Sequence, residues 1–279
     1  RKNSITRLIS MIIKDNTTLR LNWFHRISNY LIEGLSGLGI IVLLFGVWQV
    51  GSNLMGSFIL PAPMEVLTRS YELLLSSDSQ ISITLLRVVV ATTLAFLAGV
   101  ILGIMAGSFK TLAKLCRPLM DILLGIAPII WIVLALFWFG LGDVSVIFSV
   151  FIAIFPLSFA NSMLSIIALD SSLRDVCLVY KLGILKRLKA FYLPHILPHL
   201  LNSLNIVFAM GIKIMIMAEL LGSSNGVGAM IANARTYLDM TEVLAYVVIM
   251  VGIILLFNFF IITPLRIIFL PWLDNKRVK

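Results

Sequence analysis

The chain has 279 residues, 60% of them hydrophobic and only 13% charged, with a mean hydropathy of +1.05. Soluble domains carry roughly 25% charged residues, so a monomer dissolved in water is excluded and the useful quantity becomes the number of bilayer spans. The net charge of +9 bears on membrane topology before it bears on nucleic acid, because basic residues accumulate on cytoplasmic loops.

Residues 1–33 mix basic and apolar positions, as in TRLISMIIKD (6–15) and the start of WFHRISNYLIEGL (23–35). They form a cytoplasmic arm that is either an interfacial helix on anionic lipid or a topogenic tail. The arm lacks the apolar core and small-residue cleavage site of a signal peptide. A start at Arg1 points to a native N-terminus further upstream.

Apolar runs long enough to cross a bilayer then lie at 34–55, 83–109, 119–138, 144–169, 200–221 and 243–268. About 20 residues at 1.5 Å rise suffice for a span. The expected fold class is an all-α membrane protein with six transmembrane helices over 34–268, followed by a cytoplasmic tail at 269–279. Between the first two runs, FILPAPMEVLTRSYELLLSSDSQ opens on a Pro-Ala-Pro turn and continues with a helical pattern over 64–75. Its apolar residues are mixed with Glu65, Arg69 and Glu72, which predicts a helix along the external surface.

Charge sets the orientation. All of the 22 Lys/Arg except Arg69, Arg87, Lys213 and Arg235 fall in the N-terminal arm, between runs two and three, between runs four and five, or at the C-terminal end. The positive-inside rule places those segments, and both termini, in the cytoplasm.

In the second run Gly99, Gly103 and Gly107 repeat every four residues, a flat stripe that lets another helix approach closely. Packing within the bundle is the favoured use, and a homodimer seam the other.

The cytoplasmic loop at 170–198 contains SLRDVCLVYKLGILKRLKAFYLPHILP. Leu173, Val176, Val179, Tyr180 and Leu182 recur at three- and four-residue spacing, the pattern of a helix with one apolar side. Ser171 or Ser172 is placed to cap it, Asp175 falls in its first turn and Gly183 ends it. Pro194 and Pro198 break the chain before the next span. Such a helix binds either the lipid surface or another protein, and physics alone leaves both open.

In the fifth run, Lys213 and Glu219 are costly in lipid and belong on a cavity or a partner. Six residues apart, they are rotated by about 240° and do not pair with each other. Lys213 either lends a positive charge to a path for an anion or snorkels to a partner. Glu219 precedes the Gly-rich GSSNGVG, which includes Gly222 and Asn225, and reads as a gate or as the anchor of that segment.

Other chemistry is poorly represented. His195 and His199 are four apart, but Pro198 stands between them, no Glu completes HExxH and no third ligand is near, so no metal site is expected. His25 is isolated. Cys116 and Cys177 form no CxxC. GSFKT (107–111) lacks the first glycine and the spacing of a phosphate-binding loop, so ATP is not bound by this chain. Every histidine falls on the cytoplasmic side, which argues against an intramembrane hydrolase.

Four stretches, in order, resemble the ABC-importer permeases of the sulfonate/taurine/nitrate group. FILPAPMEVL (58–67) resembles their opening motif, LLGIAPIIWIVLALFWFGLGD (123–143) their third-span signature, and AELLGSSNGVGAMIANARTYLDM (218–240) their loop between spans five and six. DVC at Asp175, Val176 and Cys177, followed by Leu193–Pro194, resembles the EAA loop. The glycine of that motif falls on Lys181, and this chain has Gly183 two places later.

The resemblance implies a type I importer transmembrane domain in the bacterial inner membrane. The loop from Asp175 to Gly183 would then be a coupling helix in a cleft of a cytoplasmic ATPase subunit, with Val179, Tyr180 and Leu182 on its docking side. It further implies a homodimer, two ATPase subunits supplying ATP and Mg, an external solute-binding protein, no catalytic residue in this chain, and a small solute, an anion or a vitamin precursor. An ion-coupled secondary carrier acting without an ATPase is the alternative. It would need acidic groups at mid-span, and Asp121 and Glu219 lie near span ends.

Overall fold

A computed structural model describes residues 23–76, 79–168 and 193–269, with side chains described from Gly39 and, after the second gap, over 196–267. The described residues are helical and include no strand. Two compact units divide after Pro63.

The first unit holds α1 (Trp23–Met55). From Gly39 onward its large apolar side chains are almost all exposed, Val42 at 69% and Leu54 at 81%, as expected of a surface solvated by lipid rather than water. The helix ends where Gly56 takes φ +82, a left-handed conformation that favours glycine, with its N–H on the Ser52 carbonyl at 2.9 Å. The following turn folds back so that Trp48 Nε1 donates to the Pro61 carbonyl at 3.0 Å.

The second unit contains α2 (Pro63–Leu75), α3 (Ile81–Ser108), α4 (Lys110–Gly125), α5 (Pro128–Phe139), α6 (Asp143–Ile167), α7 (Leu193–Gly222), α8 (Val227–Thr236) and α9 (Met240–Phe257). A π-helical turn at Asn258–Ile262 joins α9 to α10 (Thr263–Phe269). Among the described residues, four helical stretches are long and apolar enough to cross a membrane: Ile81–Ser108, Asp143–Ile167, Ile196–Gly222 and Met240–Ile267. The pair α4 and α5 makes a fifth if it is one broken span. The first expected span falls in α1, whose described apolar part, Gly39–Met55, is shorter.

Two expectations are corrected. Pro194 and Pro198 do not break the chain before the next span but lie within α7, which begins at Leu193; Pro194 falls in the first turn, where a missing N–H costs nothing. The apolar run at 119–138 is not a straight span: α4 and α5 meet at 87°. The cause is local. Pro128 excludes helical geometry at Ala127, which is extended at φ −61, ψ 136, and then starts α5 from its own first turn. Hydropathy registers the apolar length and is blind to this corner.

The most extensive helix pairing is α3 along α6, followed by α7 along α6. Gly99, Gly103 and Gly107 all face α6. A Cβ on Gly103 would lie 2.5 Å from the Phe159 carbonyl oxygen, and one on Gly107 2.8 Å from that of Met163. Backbone cannot yield at that distance, so only glycine permits this approach. Buried Ser158 and Ser162 stand opposite the glycines and bond to carbonyls of Phe96 and Ser158, at 3.1 and 2.8 Å, leaving no hydroxyl unpaired.

At the far end of α6, a cluster of Ala106, Ala113, Met120, Phe159 and Met163 seats α4, with Cys116 and Leu123 completing its inward side. Lys110, Lys114, Arg117 and Asp121 stay exposed on α4. Near the opposite end of the unit, α2 is pinned to α9. Arg69 donates to Glu242 at 2.9 Å and to Glu72 at 3.1 Å, and the Ser70 hydroxyl reaches the Ala245 carbonyl at 3.3 Å. The Glu242 and Glu72 hydrogen bonds hold the Arg69 guanidinium above the ordinary arginine range, against a smaller opposing effect of burial. The arm at 1–22, the loop segment at 169–192 and the tail at 270–279 lie outside the described residues.

Candidate functional site

Two charged residues inside the spans are almost wholly buried. Glu219, near the C-terminal end of α7, is 0% exposed, and Arg87, near the N-terminal end of α3, is 3% exposed. An isolated carboxylate or guanidinium at such depth is prohibitive, so each must be paired and hydrogen-bonded. Arg87 Nη1 donates to Glu219 Oε1 at 2.8 Å and to the Asn225 carbonyl at 2.9 Å. Its Nη2 pairs with Asp143, the first residue of α6, whose side chain is 69% exposed.

The same carboxylate serves the N-terminus of α8. That helix follows Gly226, which offers no side chain to cap the orphan N–H groups of the first turn. Other helices supply the acceptors instead. Gly228 N donates to Glu219 Oε2 at 3.0 Å, Val227 N to Thr84 Oγ1 at 2.8 Å, and Gly226 N to Gln80 Oε1 at 2.5 Å. The Thr84 hydroxyl in turn donates to Glu219 Oε2 at 2.8 Å. A buried carboxylate at a helix N-terminus also meets the positive end of the helix dipole.

The glycines make room for this. Gly226 has φ +102, and a Cβ there would run into the Glu219 carboxylate; on Gly228 it would lie 2.5 Å from Glu219 Cβ. Gly222 closes the cluster from the other side, accepting from Gly142 N at 3.0 Å. The cluster therefore joins α3, α6, α7 and α8 at one end of the unit.

Of the residues singled out from sequence, Glu219, Gly222 and Asn225 meet in this cluster, while Lys213 does not. Lys213 is exposed on α7 and makes no ion pair or hydrogen bond among the described residues. The loop residues Asp175, Val176, Cys177, Val179, Tyr180, Lys181, Leu182 and Gly183 lie outside the described residues, as does the side chain of His195. No group of three His, Cys, Asp or Glu placed to hold a metal occurs among the described residues.

Sequence reasoning passed over Arg87, Thr84, Gln80 and Asp143. Arg87 did carry a signal: it is one of four basic residues off the basic loops, and it sits inside the apolar run at 83–109. A cation there demands a counter-ion, and Glu219 is a carboxylate with the same demand. Thr84 and Gln80 carry no such mark, since a hydroxyl or an amide at the end of a span is unremarkable in sequence.

Comparison with known proteins follows the same lines. Residues 99–268 match the family described as "Binding-protein-dependent transport system inner membrane component". The chain is 27% identical over 219 residues to a Bacillus subtilis (strain 168) protein named as an aliphatic sulfonates transport permease, covering 77% of this chain and 79% of that one. It is 30% identical over 231 residues to the nitrate import permease protein of Synechocystis sp. (strain ATCC 27184 / PCC 6803 / Kazusa), covering 77% and 81%. It is 27% identical over 241 residues to the taurine transport system permease protein of Escherichia coli (strain K12), covering 81% and 84%. The matched family stretch runs from inside α3 to α10 and takes in Glu219, the Gly-rich turn and α8. On that evidence the chain belongs to the binding-protein-dependent transport system inner membrane components, as an ABC permease of the sulfonate/taurine/nitrate type.

Proposed function

We propose that two copies of this chain form the membrane channel of an importer that two separate cytoplasmic ATPase subunits power and an external solute-binding protein supplies. The solute is a small molecule or ion with an anionic group, of the kind named for the relatives, which include sulfonate, taurine and nitrate permeases. Both termini and the segment at 169–192 face the cytoplasm, and the Arg87–Glu219 cluster faces outward.

One observation carries this reading. Helices α6 and α7 each run from the ends flanking 169–192 to the buried cluster, 25 residues in α6 and 30 in α7, or about 37–45 Å at 1.5 Å per residue. They pack along each other and on α3, so a push delivered to the joining segment is transmitted by rigid elements to the opposite end. The basic, one-sided helix expected within that segment supplies a docking face for the ATPase, whose ATP-driven closure would move the spans. The secondary-carrier alternative loses its best acidic group, since Glu219 is fully buried and held by Arg87, Thr84 and Gly228 N.

The test is association. Val179→Asp places a carboxylate on the apolar side of the expected coupling helix, where burial costs several kcal/mol or forces protonation. Co-purification of the ATPase subunit should be lost while membrane insertion is retained, and Lys186→Ala, in the basic stretch that follows Gly183, should change little. A Val179→Asp chain that keeps full ATPase association and transport would refute the coupling role. For orientation, a cysteine at Tyr237, 84% exposed, should react with an impermeant thiol reagent from outside, and one at residue 2 should not.

A further inference from the structure

Helix α7 has one face that nothing among the described residues of its own unit covers. Asn202, Ile206, Met210, Lys213, Met217 and Leu221 are all exposed, at spacings of four, four, three, four and four, which is a single stripe along the helix. The exposed stripe of α3 has the same geometry through Leu86, Val90, Leu94, Leu97, Ile101 and Met105, yet it is wholly apolar and suits lipid. The α7 stripe carries an amide and an unpaired cation.

Lipid is a poor neighbour for that cation. Lys213 lies nine residues from the end of α7 at Gly222, about 13 Å along the axis and so within the roughly 30 Å hydrocarbon core. A charge at such depth faces water or a partner. Snorkelling is hindered by direction: the Cα–Cβ bond tilts toward the helix N-terminus, which for α7 is the more distant membrane surface. The buried cluster offers no help either, because Glu219 is rotated away and fully occupied by Arg87, Thr84 and Gly228.

The geometry points to the α7 stripe as one wall of the aqueous solute path, with Lys213 as the group that draws a negatively charged head, such as a sulfonate, carboxylate or nitrate, through the apolar middle of the membrane. This rests on the importer reading above and adds to it the residue that sets charge preference. Met210 and Met217, its neighbours on the stripe, offer the anion no further hydrogen bond. In a pair of chains each copy contributes one such lysine.

Thiol chemistry tests this without knowledge of the natural solute. In the assembled complex with its ATPase subunits in lipid vesicles, Met217→Cys stands one helical turn from Lys213 and Leu97→Cys stands on the apolar stripe of α3. Each is treated with a sulfonate-bearing and with a trimethylammonium-bearing methanethiosulfonate, and the parent chain gives the background from Cys116 and Cys177. Met217→Cys should react with both reagents and Leu97→Cys with neither. Adding Lys213→Gln to Met217→Cys should lower the sulfonate-to-ammonium rate ratio about 10-fold, the effect of one charge about 6 Å away in partly aqueous surroundings; adding Lys213→Arg should preserve the ratio.

A Met217→Cys as inert as Leu97→Cys, or a ratio that Lys213→Gln leaves unmoved, overturns the inference. Because ATPase association is scored on the same preparations, the two readings fail separately. An intact complex without the charge effect sinks the role of Lys213 alone, whereas a chain that never binds an ATPase sinks the importer reading.

Discussion

The buried cluster around Arg87 and the open face of α7 both place charge inside a bilayer-spanning helix, and they do so under opposite rules. Around Arg87 and Glu219 each carboxylate oxygen has a donor and the first N–H groups of α8 have acceptors, and glycines are used where a side chain would crowd the carboxylate. Lys213 has no such company. A charge that is paired within its own chain is a fixture, and its removal should be felt in stability. A charge left without a partner costs little to remove and can act only on something that comes from outside the chain.

The sharpest way to break this contrast is Glu219→Leu. Arg87 would keep only the exposed Asp143 and one carbonyl, and α8 would lose the acceptor for Gly228 N. Breaking one side of a buried pair costs about 3–5 kcal/mol, and the variant should show a strongly reduced thermal midpoint in detergent. Arg87→Leu combined with Glu219→Leu should recover part of the loss, because no buried charge is then left alone. If Glu219→Leu unfolds at the parent temperature, the cluster is no anchor.

A smaller loss is expected at the glycine stripe. Gly103→Leu pushes a side chain against the Phe159 carbonyl and Ser162, and forcing bulk into a close-packed contact costs about 1–3 kcal/mol, occasionally more. Gly46→Ala on α1, where no atom lies within 4 Å of the added carbon, is the matched control and should be neutral or stabilising by about 0.5–1 kcal/mol. Equal melting shifts for the two variants would mean that the α3–α6 contact does not need its glycines.

The smallest effect on stability belongs to Lys213→Met. Replacing an unpaired, exposed cation with an apolar side chain of similar length should leave the thermal midpoint unchanged or slightly raised, while uptake by the assembled importer falls. A marked loss of stability would show that Lys213 is held by a partner group and belongs with the fixtures.

The region-by-region outcome follows from which interactions are local in sequence. The position of the Gly-rich turn was readable at 222–228, and so was the need of Glu219 for a cavity or a partner, because a carboxylate beside an apolar run is conspicuous. Its partners were not readable: Arg87 lies 132 residues away and Thr84 135, and no spacing rule connects such positions. The corner between α4 and α5 is the reverse case. Pro128 and Gly125 stand in plain view, yet a hydropathy window averages over them and returns one straight run.

By itself, then, the sequence determined where the apolar lengths fall, which loops carry the basic residues and which motifs tie the chain to its family, since these depend on composition and order along short stretches. The tertiary structure alone decided which side of each helix is occupied. The rotation of α3 that sends Gly99, Gly103 and Gly107 to α6, and the rotation of α7 that buries Glu219 while leaving Lys213 outside, are set by packing among helices far apart in the chain. A 3.6-residue period states that a helix has faces; only its neighbours determine which face meets protein and which is left for lipid or for a passing solute.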